Sequence, residues 1–131
     1  MSNTVLLVDD SELIRHSLRV CIEENSDWTI CGEAENGQVA VEKVRELHPD
    51  VVILDLQMPV MDGLEAARQI SHMAPNTGMV MLTAYVGTPL AQQAHDAGIN
   101  DVFSKFDGLA DHLLASLEDL RVRGEFRPGS D

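Results

Sequence analysis

Val51-Val-Ile-Leu-Asp55-Leu-Gln-Met-Pro59-Val-Met-Asp62-Gly63 opens with four aliphatic residues, three of them β-branched, that stop at a carboxylate and pass into a turn carrying Pro59 and Asp62-Gly63. A run of that composition reads as a strand buried on both faces, delivering Asp55 to its carboxyl end. A buried carboxylate without a counter-charge is costly. Asp55 therefore requires a cation, and other segments of the chain must bring it.

Composition bounds the setting of that strand. A chain of 131 residues with 44% hydrophobic content corresponds to one domain with a single core. The aromatics are Trp28, Tyr85, Phe103, Phe106 and Phe126, so the core is built mainly from Val, Leu, Ile, Met and Ala. The 22 acidic against 9 basic side chains give a formal charge of −13, the wrong sign for gripping a phosphate backbone or anionic lipid, so direct nucleic-acid binding by this chain is not expected. Met1-Ser-Asn-Thr leads into a short apolar run without a basic region, and no apolar stretch approaches the ~20 residues needed to span a bilayer. A cytoplasmic location is expected, without a membrane partner. Cys21 and Cys31 read as small buried hydrophobes rather than a disulfide or zinc ligands.

Outward from Val51, strand and helix patterns alternate. Thr4 to Val8 is an apolar run closed by Asp9-Asp10-Ser11, and Ile14, Leu18, Cys21 and Ile22 follow at helical spacing. Trp28 to Ala34 is a weaker strand; Ala40, Val44 and Leu47 mark a helix that stops at His48-Pro49. After the central strand, a helix starts near Gly63 with Leu64, Ala67 and Ile70 inward, and Pro75-Asn76 breaks it. Met79 to Thr83 is a fourth strand, Pro89 to Ala97 a fourth helix ended by Gly98, and Val102 to Lys105 a short fifth strand. Leu109, Leu113, Leu117 and Leu120 form the strongest helical stripe. Residues 1–123 read as one domain and 124–131 as a linker-like tail.

Five strands alternating with five helices predict an α/β fold: a doubly wound, five-stranded parallel sheet covered on both faces. Ligands in such sheets sit at the carboxyl ends of the strands. Those ends carry Asp9-Asp10, Asp55, Thr83 and Lys105. Three gathered carboxylates repel one another, so one should have a raised pKa or a divalent cation should neutralise them. Few oxygen ligands suit Mg²⁺, with Asp9 and Asp10 as anchors and the backbone carbonyl near Gln57 as a third candidate. Asp55 remains as a nucleophile toward phosphorus, with Lys105 and the Thr83 hydroxyl placed to hold equatorial charge.

Val-Asp-Asp at 8–10, Asp55-Leu-Gln-Met-Pro with Asp62-Gly63 downstream, Leu82-Thr-Ala and Ser104-Lys105 together resemble the receiver domain of bacterial two-component response regulators over about residues 4–122. The resemblance implies a flavodoxin-like (βα)5 fold and a phosphoryl-accepting Asp55. It implies Mg²⁺ held at Asp9, Asp10, Asp55 and the Gln57 carbonyl, with Thr83 and Lys105 as a switch pair. The expected donor is a phosphohistidine on a sensor histidine kinase or phosphotransfer protein. Leu13-Ile-Arg-His-Ser-Leu-Arg19, Gly32-Glu-Ala-Glu-Asn-Gly-Gln38 and Gly63-Leu-Glu-Ala-Ala-Arg-Gln-Ile70 are similar to receivers that precede a helix-turn-helix domain. The expected output is therefore an outside protein or a DNA-binding domain beyond these residues, with a homodimer as a further partner state; the tail suits either a single-domain protein or a shortened regulator.

Two positions depart from the family pattern. Val102 stands where an aromatic is usual three residues before the lysine, and Phe106 replaces the usual proline after it. A cis Lys105-Phe106 bond would cost about 3 kcal/mol, so a trans peptide is expected. Asp9 and Asp10 could instead serve only a helix N-terminus, and Thr83 could be an ordinary strand-end hydroxyl. Gln57 and Tyr85 read first as loop residues, beside the site where they could tune the access of water. The histidines at 16, 48, 72, 95 and 112 read as solvated. Competing functions are a phosphorylation-independent scaffold and an aspartyl-phosphate phosphohydrolase, the latter disfavoured by the lack of a cap segment. A nucleotide-binding flavodoxin-like role is the least favoured, since the turn after the first strand is acidic and lacks the glycine of a phosphate cradle.

Overall fold

The computed structural model describes residues 3–84, 87–106 and 108–125, the last three as backbone only. In chain order these form β1 (Thr4–Val8), α1 (Glu12–Asn25), β2 (Thr29–Ala34), α2 (Gly37–Leu47), β3 (Val51–Asp55), α3 (Gly63–Met73), β4 (Gly78–Thr83), α4 (Thr88–Asp96), β5 (Asp101–Ser104) and α5 (Leu109–Glu125). The strands make one parallel sheet in the order β2-β1-β3-β4-β5. The expected doubly wound (βα)5 architecture is present.

Side chains alternate across a strand, and each central strand feeds two cores. Leu6 and Val8 of β1, with Val52 and Leu54 of β3 and Met79 and Met81 of β4, pack against Ala40, Val44, Ala67, Ile70 and Ala94 of α2, α3 and α4. Val5 and Leu7, with Val51, Ile53, Val80 and Leu82, meet Leu18 and Ile22 of α1 and Leu113, Leu117 and Leu120 of α5. The helical stripes read from the sequence are the buried faces. Each central strand is covered on both sides, which is why β3 is an unbroken apolar run. The chain runs from β1 out to β2 and back across to β3, so strand order reverses between β1 and β3, where their carboxyl ends hold the acids.

Boundaries move by a residue or two. β4 gains Gly78, β5 runs from Asp101 to Ser104 and leaves Lys105 just past its end, and α4 is Thr88–Asp96 with Pro89 in its first turn. α5 continues through Glu125, so Gly124 and Glu125 extend the helix rather than open the tail; Phe126 and the rest of the tail lie outside the described residues. His48 closes α2 in the left-handed conformation (φ 48°) just before Pro49. Ser11, Asn36 and Asp62 cap α1, α2 and α3 by accepting from Ile14, Val39 and Glu65 N–H.

The loop between β3 and α3 is fastened by backbone. Gly63 N–H donates to the Leu56 carbonyl at 2.8 Å, and a Cβ there would fall 2.2 Å from the Asp55 carbonyl oxygen. Gly37 N–H donates to the Met61 carbonyl at 3.0 Å, and a Cβ would lie 2.4 Å from that same oxygen. Between these clamps Met61 N–H reaches back to the Pro59 carbonyl at 2.7 Å around Val60, whose φ is +70°. This is a positive-φ γ-turn, a strained conformation for a β-branched residue.

Val60 is 82% exposed, so its side chain contributes little packing to offset that strain. Relief of about 1–3 kcal/mol of backbone strain outweighs the ~0.4–1 kcal/mol of extra unfolded-state entropy that glycine brings. Val60→Gly is expected to stabilise the domain by about 1 kcal/mol, raising Tm by roughly 4 °C. A melting temperature equal to or below that of the wild type would show that the γ-turn carries no strain.

Candidate functional site

β1 ends in Val8, and Asp9 follows it into the core at 1% exposure. Its N–H donates to the Ala34 carbonyl of β2 at 3.1 Å, and its Oδ1 accepts from Ser11 N–H at 2.9 Å. Its Oδ2 lies 3.0 Å from Lys105 Nζ but has no aligned hydrogen bond. Asp55, buried at the end of β3, places its own Oδ2 3.0 Å from the same ammonium. Lys105 is therefore the cation that the apolar run before Asp55 required. It sits between two buried carboxylates delivered by neighbouring strands.

Thr83 is buried at the end of β4, one residue beyond Leu82, which pairs in register with Asp55. Lys105 N–H donates to the Thr83 carbonyl at 2.9 Å, tying the two residues through their backbones. Asp10 is exposed, yet oxygens from Asp9, Asp10 and Asp55 all lie within 4.8 Å of one another. The helix terminus does not account for Asp9 alone: Ser11 is the cap and Glu12 the first-turn acid of α1, while Asp9 Oδ2 faces Lys105.

Burial pushes the Asp55 pKa up, and the nearby Asp9 charge adds to that against the opposing contact with Lys105. One of the gathered carboxylates is thus raised, by burial first and by the Asp9 charge second. For Lys105, burial opposes the charge, but the contacts to Asp55 and Asp9 outweigh it and the pKa is raised. The donor set is hard oxygen, three carboxylates converge, and one buried carboxylate oxygen lacks an aligned donor. Those features fit Mg²⁺.

Gln57 lies exposed on the loop two residues past Asp55, and Tyr85 lies outside the described residues. All five histidines are exposed. Val102 is half-buried against the α4-side core, while Phe103 points to the opposite face with its ring 5.7 Å from that of His112. Phe106 is 72% exposed, and the bond before it is trans, since no cis peptide occurs among the described residues. Cys21 and Cys31 are half-buried free thiols whose pKa values burial pushes up, which keeps them unreactive.

One contact escapes sequence reading. Arg15, in the first turn of α1, donates from Nη1 to the Asp9 carbonyl at 2.5 Å and from Nε to Glu33 Oε1 of β2 at 2.7 Å. No local signal marks it, because its partners sit on two other elements.

A family model described as Response regulator receiver domain matches residues 5–117. The chain is 49% identical over 122 residues to Transcriptional regulatory protein YdfI of Bacillus subtilis, covering 93% of this chain and 56% of the relative. It is 34% identical over 128 residues to Response regulator protein VraR of Staphylococcus aureus, covering 98% of this chain and 61% of the relative. The chain thus spans little more than half the length of these relatives. Among solved structures, the response regulator domain of Thermotoga maritima CheB matches with a TM-score of 0.85 at 32% identity, covering 92% of this chain and 96% of that one. A LuxR-family two-component response regulator from Aurantimonas matches with a TM-score of 0.85 at 28% identity, covering 92% and 86%.

The raised pKa of Asp55 fixes a sign for stability. In the folded chain Asp55 holds its proton to higher pH than in the unfolded chain. Stability therefore falls as pH rises from the ordinary carboxylate value of about 3.9 through the raised one. Without divalent cations, Asp55→Asn is expected to melt higher than the wild type at neutral pH, and the gap should close on acidification below the ordinary carboxylate range. Thermal melts in chelator across pH check this. Equal melting temperatures at neutral pH would mean that Lys105 compensates Asp55 fully.

Proposed function

The chain belongs to the response regulator receiver domain family, the phosphoacceptor modules of two-component signalling, and we propose that Asp55 is the residue that accepts the phosphoryl group. The observation that carries this is the Lys105 ammonium held 3.0 Å from Asp55 Oδ2, beside two further carboxylates and the buried Thr83. An Asp55 oxygen would form the O–P bond as the P–N bond of a phosphohistidine breaks, and the departing imidazole would take up a proton. The donor would be a sensor histidine kinase or phosphotransfer protein. Lys105 and the Thr83 hydroxyl would hold charge on the equatorial oxygens, where electrostatic stabilisation contributes most.

Asp9, Asp10 and Asp55, with the Gln57 carbonyl, would hold Mg²⁺. That ion would offset the carboxylate charge and neutralise the phosphoryl oxygens during transfer. Lys105 and Thr83 would then act as the switch pair, their shared backbone hydrogen bond linking β4 to the β5 end. The surface of α4, β5 and α5 would carry the change outward to an output protein, a DNA-binding domain or a second copy of the chain. The receiver would run through the end of α5 at Glu125, two residues past the expected boundary, in the cytoplasm, with the linker-like tail after it. No described helix is long and apolar enough to cross a membrane. The chemistry is self-modification rather than turnover of an external substrate, and nothing in the site favours a phosphohydrolase or a phosphorylation-independent scaffold.

Incubation with Mg²⁺ and a small acyl-phosphate donor, followed by intact-mass measurement, should give one hydroxylamine-labile phosphoryl adduct on the wild type and none on Asp55→Asn. Lys105→Ala should slow adduct formation by about 10²-fold, the usual cost of losing one charge-stabilising donor. An adduct that survives in Asp55→Asn would move the acceptor elsewhere, and no adduct on a chain that binds Mg²⁺ would leave a scaffold.

A further inference from the structure

Successive side chains of an extended chain point to opposite sides, yet the carboxylates of adjacent Asp9 and Asp10 converge with Asp55 within 4.8 Å. The chain must turn between them, and the orientation of the Asp9-Asp10 peptide decides whether they meet. That peptide plane is gripped from outside the cluster. Arg15 Nη1 donates to the Asp9 carbonyl at 2.5 Å, and the same guanidinium is locked by Nε to Glu33 Oε1 at 2.7 Å. Glu33 is itself pinned: Arg19 donates to Oε2 from Nε at 3.1 Å and Nη2 at 2.6 Å, and Lys43 Nζ donates to its carbonyl at 2.6 Å. The Arg15 side chain is only 14% exposed. The carbonyl that Arg15 holds shares its rigid plane with the Asp10 N–H, so fixing that oxygen fixes the direction in which Asp10 leaves the chain. Asp9 is held in addition by its N–H and Oδ1, whereas Asp10, being exposed, depends on the plane.

We propose that Arg15 is a positioning residue for the divalent-cation site, orienting the Asp9-Asp10 peptide from a base on Glu33 so that both acids address one ion. This rests on the metal-site reading given above. Loss of a residue that orients metal ligands without touching the ion typically weakens affinity by about 10–100-fold.

Arg19 supplies the control, since it grips Glu33 but does not touch Asp9. Mg²⁺ affinity, by isothermal titration calorimetry, and melting temperature would be measured for the wild type, Arg15→Ala, Arg15→Lys and Arg19→Ala. Arg15→Ala should bind Mg²⁺ about ten-fold or more weaker. Arg15→Lys should fall between, since one ammonium cannot serve both the Asp9 carbonyl and Glu33 in the geometry of a guanidinium fork; it also stands in should the alanine variant fold poorly. Arg19→Ala should lower Tm while leaving Mg²⁺ affinity within about two-fold. Asp10→Asn should cost several-fold less affinity in the Arg15→Ala background than in the wild type, because the two act through one plane. Unchanged affinity in both Arg15 variants, an equal loss in Arg19→Ala, or additive effects of Arg15→Ala and Asp10→Asn would each overturn the proposal while leaving the metal site intact. A wild-type chain that binds no Mg²⁺ would remove the metal-site reading and this inference with it.

Discussion

Everything at the carboxyl edge of this sheet depends on one ammonium held between two buried carboxylates. Lys105 Nζ lies 3.0 Å from both Asp9 Oδ2 and Asp55 Oδ2, and removing it would leave two buried carboxylates without their counter-charge. The arrangement is possible because the strands are parallel. β1, β3, β4 and β5 all end on the same side, so residues from four distant segments arrive together without any loop having to fold back. The hydrophobic alternation that assembles the two cores thus also assembles the polar cluster, since a slip of one residue in β3 would turn Asp55 into a helix-packed face.

Rigid supports surround that cluster. The β3–α3 loop is pinned at Gly63 against Leu56 and at Gly37 against Met61, and its γ-turn at Val60 persists because both flanks are tied. On the other side, Ser11 caps α1 while its N–H holds Asp9 Oδ1, so helix start and acid placement share one residue. The site residues lie on strand ends and their first loop positions, the most constrained places available to a group that must remain accessible.

The fold was legible because its signal is local: unbroken apolar runs for β1, β3 and β4, and leucine or alanine stripes for the helices. The polar edge followed from it, since a parallel sheet leaves nowhere else for Asp9, Asp55 and Lys105 to go. What escaped depends on contacts between elements. Arg15 looks like any charge on an amphipathic helix until β2 brings Glu33 beside it. Gly37 and Gly63 signal turns in the sequence, but only the packed loop shows that a backbone oxygen occupies the space of their absent side chains. Val60 is the sharpest case. Local preference for valine is extended, and it is overridden by the clamps on either side.

Charge in the cluster explains why such a site suits a switch. Three carboxylates face one ammonium, an excess of negative charge, and at Asp55 burial first and the Asp9 charge second raise the pKa against the contact with Lys105. A cluster content in its resting state would respond weakly to a new ligand, because an equilibrium moves only by the difference in interaction energy between its states. Lys105 is the member whose partners must be redistributed if Asp55 gains a phosphoryl group, and its N–H is bonded to the Thr83 carbonyl, so the redistribution bears directly on the β4 and β5 ends. From there the path outward is unlike the family pattern. Val102 offers a short, stiff side chain on the α4 side, while the aromatic bulk of β5 lies one residue on, in Phe103, packed toward α5 beside His112. On β5 the side chain that faces α4 is thus the short Val102, and the aromatic one, Phe103, faces α5.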